Sequence, residues 1–165
     1  MKQKYILFPI IFLGFILLDC AGTQQDSIAK TQNVEFLIEQ GELFWQQRSD
    51  SLTLKKAEHF ISLACQQRPG QFDIAILYGQ ILYTRALFFE KDGETQNSLF
   101  LQASQLCQEA VLNHQDFSVI YKNTQGDSTF KMLTALADVP ISVVPGLFWW
   151  ATNLARYLNT RPVIE

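Results

Sequence analysis

Apolar residues along this chain recur three and four positions apart, and strand-like alternation is nearly absent. That period puts them on one face of a helix, so the chain reads as all-α. The pattern is clearest from Ala57 to Pro69. Ala57, Ile61 and Ala64 share a face, and Pro69 stops the run, pushing Arg68 before it towards extended geometry. Upstream, Val34, Leu37, Ile38, Gly41, Phe44 and Trp45 fall at the same spacing and predict a helix over Val34 to Gln47. Glycine inside a helix costs about 1 kcal/mol, which suggests that Gly41 is a point of close helix contact. Gln46 to Asp50 forms the turn, and Ser51 or Thr53 is positioned to cap the second helix.

The same phase returns downstream. A helix opening at Phe72 carries Ala75, Gly79 and Leu82 where the first carried Leu37, Gly41 and Phe44. It runs through Phe88-Phe89 to a break at Lys91-Asp92-Gly93, and its partner begins near Asn97 or Ser98. Ala103, Cys107 and Ala110 repeat the offsets of Ala57, Ile61 and Ala64, with Gln115 in the place of the proline. Asp127 or Ser128 caps a short third helix bearing Phe130, Leu133, Leu136 and Ala137, broken at Val139-Pro140. Ile141 to Pro145 is apolar and extended, and Gly146 to Asn159 is a strongly apolar helix. Two faces of it fit the phase: Trp150, Asn153, Leu154 and Tyr157, or Ala151, Leu154, Ala155 and Leu158. The second is preferred because Ala155 supplies the small residue.

Small-x3-large-x2-small-x4-Pro is the spacing of the second helix of a tetratricopeptide (TPR) repeat, and Leu37-x3-Gly41-x2-Phe44 that of the first. The fold expected is a TPR-like array of helical hairpins, an α-solenoid. Its close-packing positions are Gly41, Ala57, Ala64, Gly79, Ala103, Ala110 and Ala155.

The amino terminus is of another kind. Lys2 and Lys4 precede an uncharged run from Tyr5 to Leu18, short for a membrane span but right for a signal sequence. Cys20 closes that run, the mark of a bacterial lipoprotein signal cut before a cysteine that carries diacylglycerol. Asp19 stands where such signals have Gly, Ala or Ser, which keeps an uncleaved anchor and simple secretion open as alternatives. The organisation expected is a signal over 1–19, a small polar tether over 20–31 and a helical domain over 32–165. The domain then sits in the bacterial cell envelope, lipid-anchored and facing the periplasm.

Composition narrows the chemistry. Apolar residues make up 48% and charged residues 18%, with a net charge of −3, so the chain has a core and no basic footprint for nucleic acid. His59 and His114 have no Cys or His at metal spacing, and no cofactor motif appears. Cys65 and Cys107 read as buried free thiols, with a disulfide in an oxidising compartment as the alternative, and Glu35, Glu39 and Glu42 as a solvated face. No nucleophile has a neighbouring base, so no catalytic activity is expected. Aromatic residues gather on the first-type helices, and Trp45, Tyr83 and Trp149 are the candidates for an apolar ligand groove.

With the Cys20 signal, Leu37 to Gly41, Ala57 to Pro69, Ala75 to Gly79 and the run Val144-Pro145-Gly146-Leu147-Phe148-Trp149-Trp150-Ala151-Thr152-Asn153-Leu154-Ala155, the chain resembles the TatT component family of TRAP transporters. These are exported lipoproteins built from irregular TPR pairs. The resemblance implies an accessory role in uptake beside a periplasmic solute-binding protein and a permease, assembly as a homo-oligomer, and a small hydrophobic ligand. It covers the amino-terminal half of such proteins, which continue with further helical pairs. A general TPR scaffold lipoprotein of the envelope, with no transporter, is the alternative.

Overall fold

The computed structural model describes residues 33–159. The signal, Cys20 and the tether lie outside the described residues. The chain divides into two units, residues 1–36 and 37–165. Of the first unit only residues 33–36 are described, as one helical turn, and the rest of the described chain belongs to the second.

All regular structure in the described residues is helical. Helix α1 covers residues 33–46, followed by α2 (Ser51–Gln67), α3 (Phe72–Phe88), α4 (Gly93–Asn113), α5 (Gln115–Asn123), α6 (Ser128–Ala137), a 3-10 turn at Ile141–Val143 and α7 (Val144–Asn159).

The first hairpin joins α1 to α2. Asp50 begins α2: its carboxylate accepts from the backbone amides of Leu52 at 2.9 Å and Thr53 at 3.0 Å. Ser51 and Thr53, the caps expected from sequence, are already inside the helix, and the Thr53 hydroxyl donates to Asp50 at 2.6 Å. A carboxylate on an extended residue meets two orphan amides, so the cap falls one residue earlier. Ala57, Ile61 and Ala64 are fully buried. A methyl on Gly41 would lie 2.5 Å from Ile61 Cγ1 and clash with its Cδ1, so bare backbone is what lets α1 lie on α2.

The second hairpin repeats this. Gly79 of α3 faces Cys107 of α4; an added methyl would sit 2.5 Å from the thiol sulfur. Ala103, Cys107 and Ala110 are buried to 1% exposure or less. Helix α4 starts at Gly93, not at Asn97 or Ser98, because Asp92 caps it by accepting from Thr95 N at 2.7 Å. Across the hairpins, Glu58 of α2 accepts from Arg85 of α3 at 2.8 Å.

Beyond α4 the chain departs from expectation. Helix α5 has no counterpart among the elements expected from sequence. His114 takes an extended backbone between α4 and α5, and Phe117 is driven into a core with Val111, Ala135 and Val143. Asp127 caps α6 by accepting from Phe130 N at 2.8 Å. The side of α6 that buries is Ala135, while Phe130, Leu133 and Leu136 are exposed. Ile141 to Pro145 is not extended: it forms the 3-10 turn and the first turn of α7, where proline lacks only an amide the helix would leave unpaired.

Helix α7 packs against α4 and α3. Gly146 makes this approach possible, since a methyl there would lie 2.7 Å from both Phe72 and Val111. The face turned inward carries Trp150, Asn153 and Tyr157. Ala151 and Ala155 are exposed, which corrects the preferred register: no described helix covers Ala155. Bulk and one hydrogen bond of the Asn153 amide decide the matter, because the two large rings fill the gap over α4 and the small residues are left outside.

Candidate functional site

Aromatic rings concentrate where α3, α4 and α7 meet. Tyr83 of α3 lies edge-on to Trp149 of α7, with centroids 5.6 Å apart and planes at 67°. It also leans on Phe100 of α4 at 5.6 Å. Phe148 meets Trp149 edge-on at 5.3 Å, and Arg156 Nε stands 3.4 Å from the Tyr83 hydroxyl. Such tilted contacts suit the ring quadrupoles. Tyr83 and Trp149, two of the three groove candidates, are therefore brought together. Trp45 is not. It packs with α2 and α3 in the first core, under a guanidinium: Arg48 sits 4.1 Å above its ring and donates to its carbonyl at 2.9 Å.

The helix-packing residues divide likewise. Gly41, Ala57, Ala64, Gly79, Ala103 and Ala110 are buried, and Ala155 is exposed. The position that does the packing on α7 is 153. Asn153 is 0% exposed, its Nδ2 donates to the Trp149 carbonyl at 2.8 Å, and its Oδ1 has no protein partner. Gly146 also packs, and its sequence signal is a glycine directly before a bulky apolar run in a helix, which marks close approach.

Three depressions on the described surface are not lined by the aromatic cluster. One of about 120 Å³ lies among Cys65, Pro69, Gln71, Ala75, Leu106 and Ala110. Two polar ones, of about 200 and 320 Å³, share Lys55 and Arg85 along the α2–α3 edge.

Reactive groups are quiet. Burial pushes the Cys65 thiol up to about 11 and the Cys107 thiol up to about 12, so neither is a thiolate nucleophile at neutral pH. Burial, then the nearby Glu58, raises Tyr78. His59 is exposed beside Phe60. His114 lies edge-on to Phe72 at 4.7 Å, with Nδ1 3.9 Å from Asp116. Ser142 donates to that same carboxylate at 2.9 Å, an order in which the imidazole cannot take the hydroxyl proton. Among the described residues no three His, Cys, Asp or Glu side chains gather to hold a metal, and no single helix is long and apolar enough to cross a membrane.

Comparison with known proteins adds no identification: no family model, no curated protein and no solved structure matches this chain.

The surfaces decide what the arrangement can do. It offers packed helices, an aromatic seam and an α2–α3 edge of mixed charge.

Proposed function

We propose that this chain is an exported, membrane-tethered protein of TPR-like helical hairpins that serves as an accessory component of a TRAP-type uptake system. One observation carries the reading. The helix with Phe148-Trp149-Trp150 is seated on the second hairpin, with Trp149 against Tyr83 of the preceding first-type helix. The support beneath it is the recurrence of one contact, a glycine of the first helix against the centre of a small-flanked stripe on the second, at Gly41–Ile61 and Gly79–Cys107. In this reading the protein holds a periplasmic solute-binding protein, and the Tyr83–Trp149 seam is the place for a small hydrophobic ligand. The tether is a diacylglycerol on Cys20.

Capture of the tagged full chain from its native membranes, followed by mass spectrometry, tests this. A solute-binding protein is expected in the eluate, and its absence would count against the transporter role. An acylated Cys20 at the new amino terminus is expected in the same sample.

The second reading is a general scaffold of the envelope without a transporter. The separate packing of Trp45 favours it, because three rings do not converge on one groove. Capture of envelope proteins unrelated to uptake would decide for it.

A further inference from the structure

The depression of about 200 Å³ on the α2–α3 edge is walled by Ser51, Leu54, Lys55, Arg85, Phe89 and Glu90. Its ends carry opposite charge. Lys55 stands on α2, exposed, and no ion pair among the described residues engages it. Glu90 belongs to the loop after α3, and that loop is fixed: the Glu90 amide donates to the Arg85 carbonyl at 3.0 Å, and the Glu90 carbonyl accepts from the Gln96 side chain at 2.7 Å. Arg85 is answered from elsewhere. Its Nη1 donates to Glu58 at 2.8 Å, whereas Nη2 lies 3.8 Å from Glu90 Oε2, beyond hydrogen-bond reach. Glu90 Oε1 accepts from the Lys91 amide at 3.1 Å, so Oε2 is the oxygen with a lone pair to give. Apolar surface joins the two ends, from Leu54, 1% exposed, and the half-buried Phe89.

We propose that this depression binds a small ω-amino acid, a zwitterion whose carboxylate and ammonium are separated by a short methylene chain. The carboxylate pairs with Lys55 and takes a hydrogen bond from Arg85 Nη2. The ammonium donates to Glu90 Oε2, and the methylenes lie on Leu54 and Phe89. Charge selects the class. The formal charges of Lys55, Arg85, Glu58 and Glu90 cancel, so a ligand with net charge gains little from the edge as a whole, while a dipolar one gains at both ends. Spacing selects the length. Lys55 and Glu90 sit on different elements, and packed helices have axes about 8–10 Å apart, which suits separated charges better than the two charges an α-amino acid carries on one carbon. The volume is below the roughly 300–1,000 Å³ of drug-sized sites, which keeps the ligand small. This site is separate from the Tyr83–Trp149 seam and independent of the transporter role.

The test is saturation-transfer NMR on the full chain in lipid nanodiscs, with 4-aminobutyrate as the probe and empty nanodiscs as the blank. Butyrate and butylammonium, which each carry one of the two charges on the same carbon chain, are the comparators and need no variant. Saturable transfer to 4-aminobutyrate is expected, with a dissociation constant on the order of 1 mM, and each comparator should bind at least about threefold more weakly. Lys55→Gln and Glu90→Gln should each weaken 4-aminobutyrate about threefold with an unchanged circular dichroism spectrum, because Lys55 is exposed and glutamine at 90 keeps an acceptor for the Lys91 amide. Lys55→Gln should leave butylammonium unaffected, and Glu90→Gln should leave butyrate unaffected. Absence of saturable transfer would overturn the proposal. So would butyrate binding as tightly as 4-aminobutyrate, or 4-aminobutyrate binding that both variants leave unchanged. Binding lost in Tyr83→Phe and kept in Lys55→Gln would also overturn it, by assigning the probe to the aromatic seam.

Discussion

Alanine at Gly41 should destabilise the fold although alanine is the better helix former. The added methyl gains about 1 kcal/mol of helix propensity. Against this stands Ile61, whose Cγ1 would be 2.5 Å away and whose Cδ1 also clashes. An isoleucine in a helix has one strongly favoured χ1 rotamer, and Ile61 is 0% exposed. The side chain cannot swing aside, so α1 must move off α2. Overpacking of this kind costs about 1–3 kcal/mol. With the upper end applying here, Gly41→Ala is expected to lose about 2 kcal/mol net. Ile61→Ala alone should lose about 3 kcal/mol, as for a buried aliphatic truncated to its Cβ. The double mutant should lose about 2–3 kcal/mol rather than about 5, because the clash is gone and the new methyl fills part of the void. Urea unfolding of the four proteins, followed by far-ultraviolet circular dichroism, gives the coupling. Additivity within about 0.5 kcal/mol would show that the two residues do not touch, and the close-approach argument would fail.

Four further outcomes are expected. Folding lowers the Asp50 and Asp92 carboxyls, chiefly through the hydroxyls of Thr53 and Thr95. Their contribution is complete above the unfolded carboxylate range of about 4 and is lost as pH falls through the depressed folded values. Thermal melts should therefore decline below about pH 4, and Asp50→Asn with Asp92→Asn should flatten that decline while keeping good caps. Glu58→Gln weakens the bridge to Arg85, whose partners are 18% and 29% exposed, and should cost about 1 kcal/mol in urea titration. In a Cys20→Ser background, Cys65 and Cys107 should resist a thiol reagent at neutral pH and react fully in denaturant; fast native reaction would contradict their raised values. Phe117→Ala removes a ring that is 0% exposed and should cost about 3–5 kcal/mol, read as a lowered denaturation midpoint.

The hairpins are legible in sequence because their decisive residues are small. A glycine or alanine in a helix gains little burial energy by itself, so its recurrence at one phase reports a neighbouring backbone. That logic places Gly41 and Gly79 at close contacts from sequence alone, and the structure puts them against Ile61 and Cys107. Helix starts are less legible, since several polar residues near a turn can each cap. Geometry chooses Asp50 and Asp92, whose carboxylates each take hydrogen bonds from the first turn and from a threonine hydroxyl within it. Helix α5 is hidden for the opposite reason. Its break from α4 uses neither proline nor glycine but the extended backbone of His114, and its single anchor, Phe117, has no periodic companions that are buried.

Helix α6 and helix α7 show why apolar periodicity alone misleads. A stripe tells that a face is apolar, and not whether this chain covers it. On α6 the predicted stripe of Phe130, Leu133 and Leu136 is exposed while Ala135 is buried. On α7 one candidate stripe holds the rings that seal the hairpin below, and the other, with Ala151, Ala155 and Leu158, is exposed. A polar side chain settles the choice. Asn153 can be buried because its Nδ2 donates to the carbonyl one turn back at Trp149, so a residue that reads as solvent-facing lies at the centre of the interface. Its Oδ1 has no protein partner, which makes Asn153→Leu informative. If the unpaired oxygen costs stability, leucine should raise the urea midpoint by an amount equivalent to about 1–2 kcal/mol; a lowered midpoint would mean that the oxygen has a partner in solution, and that the seam between α4 and α7 is wet.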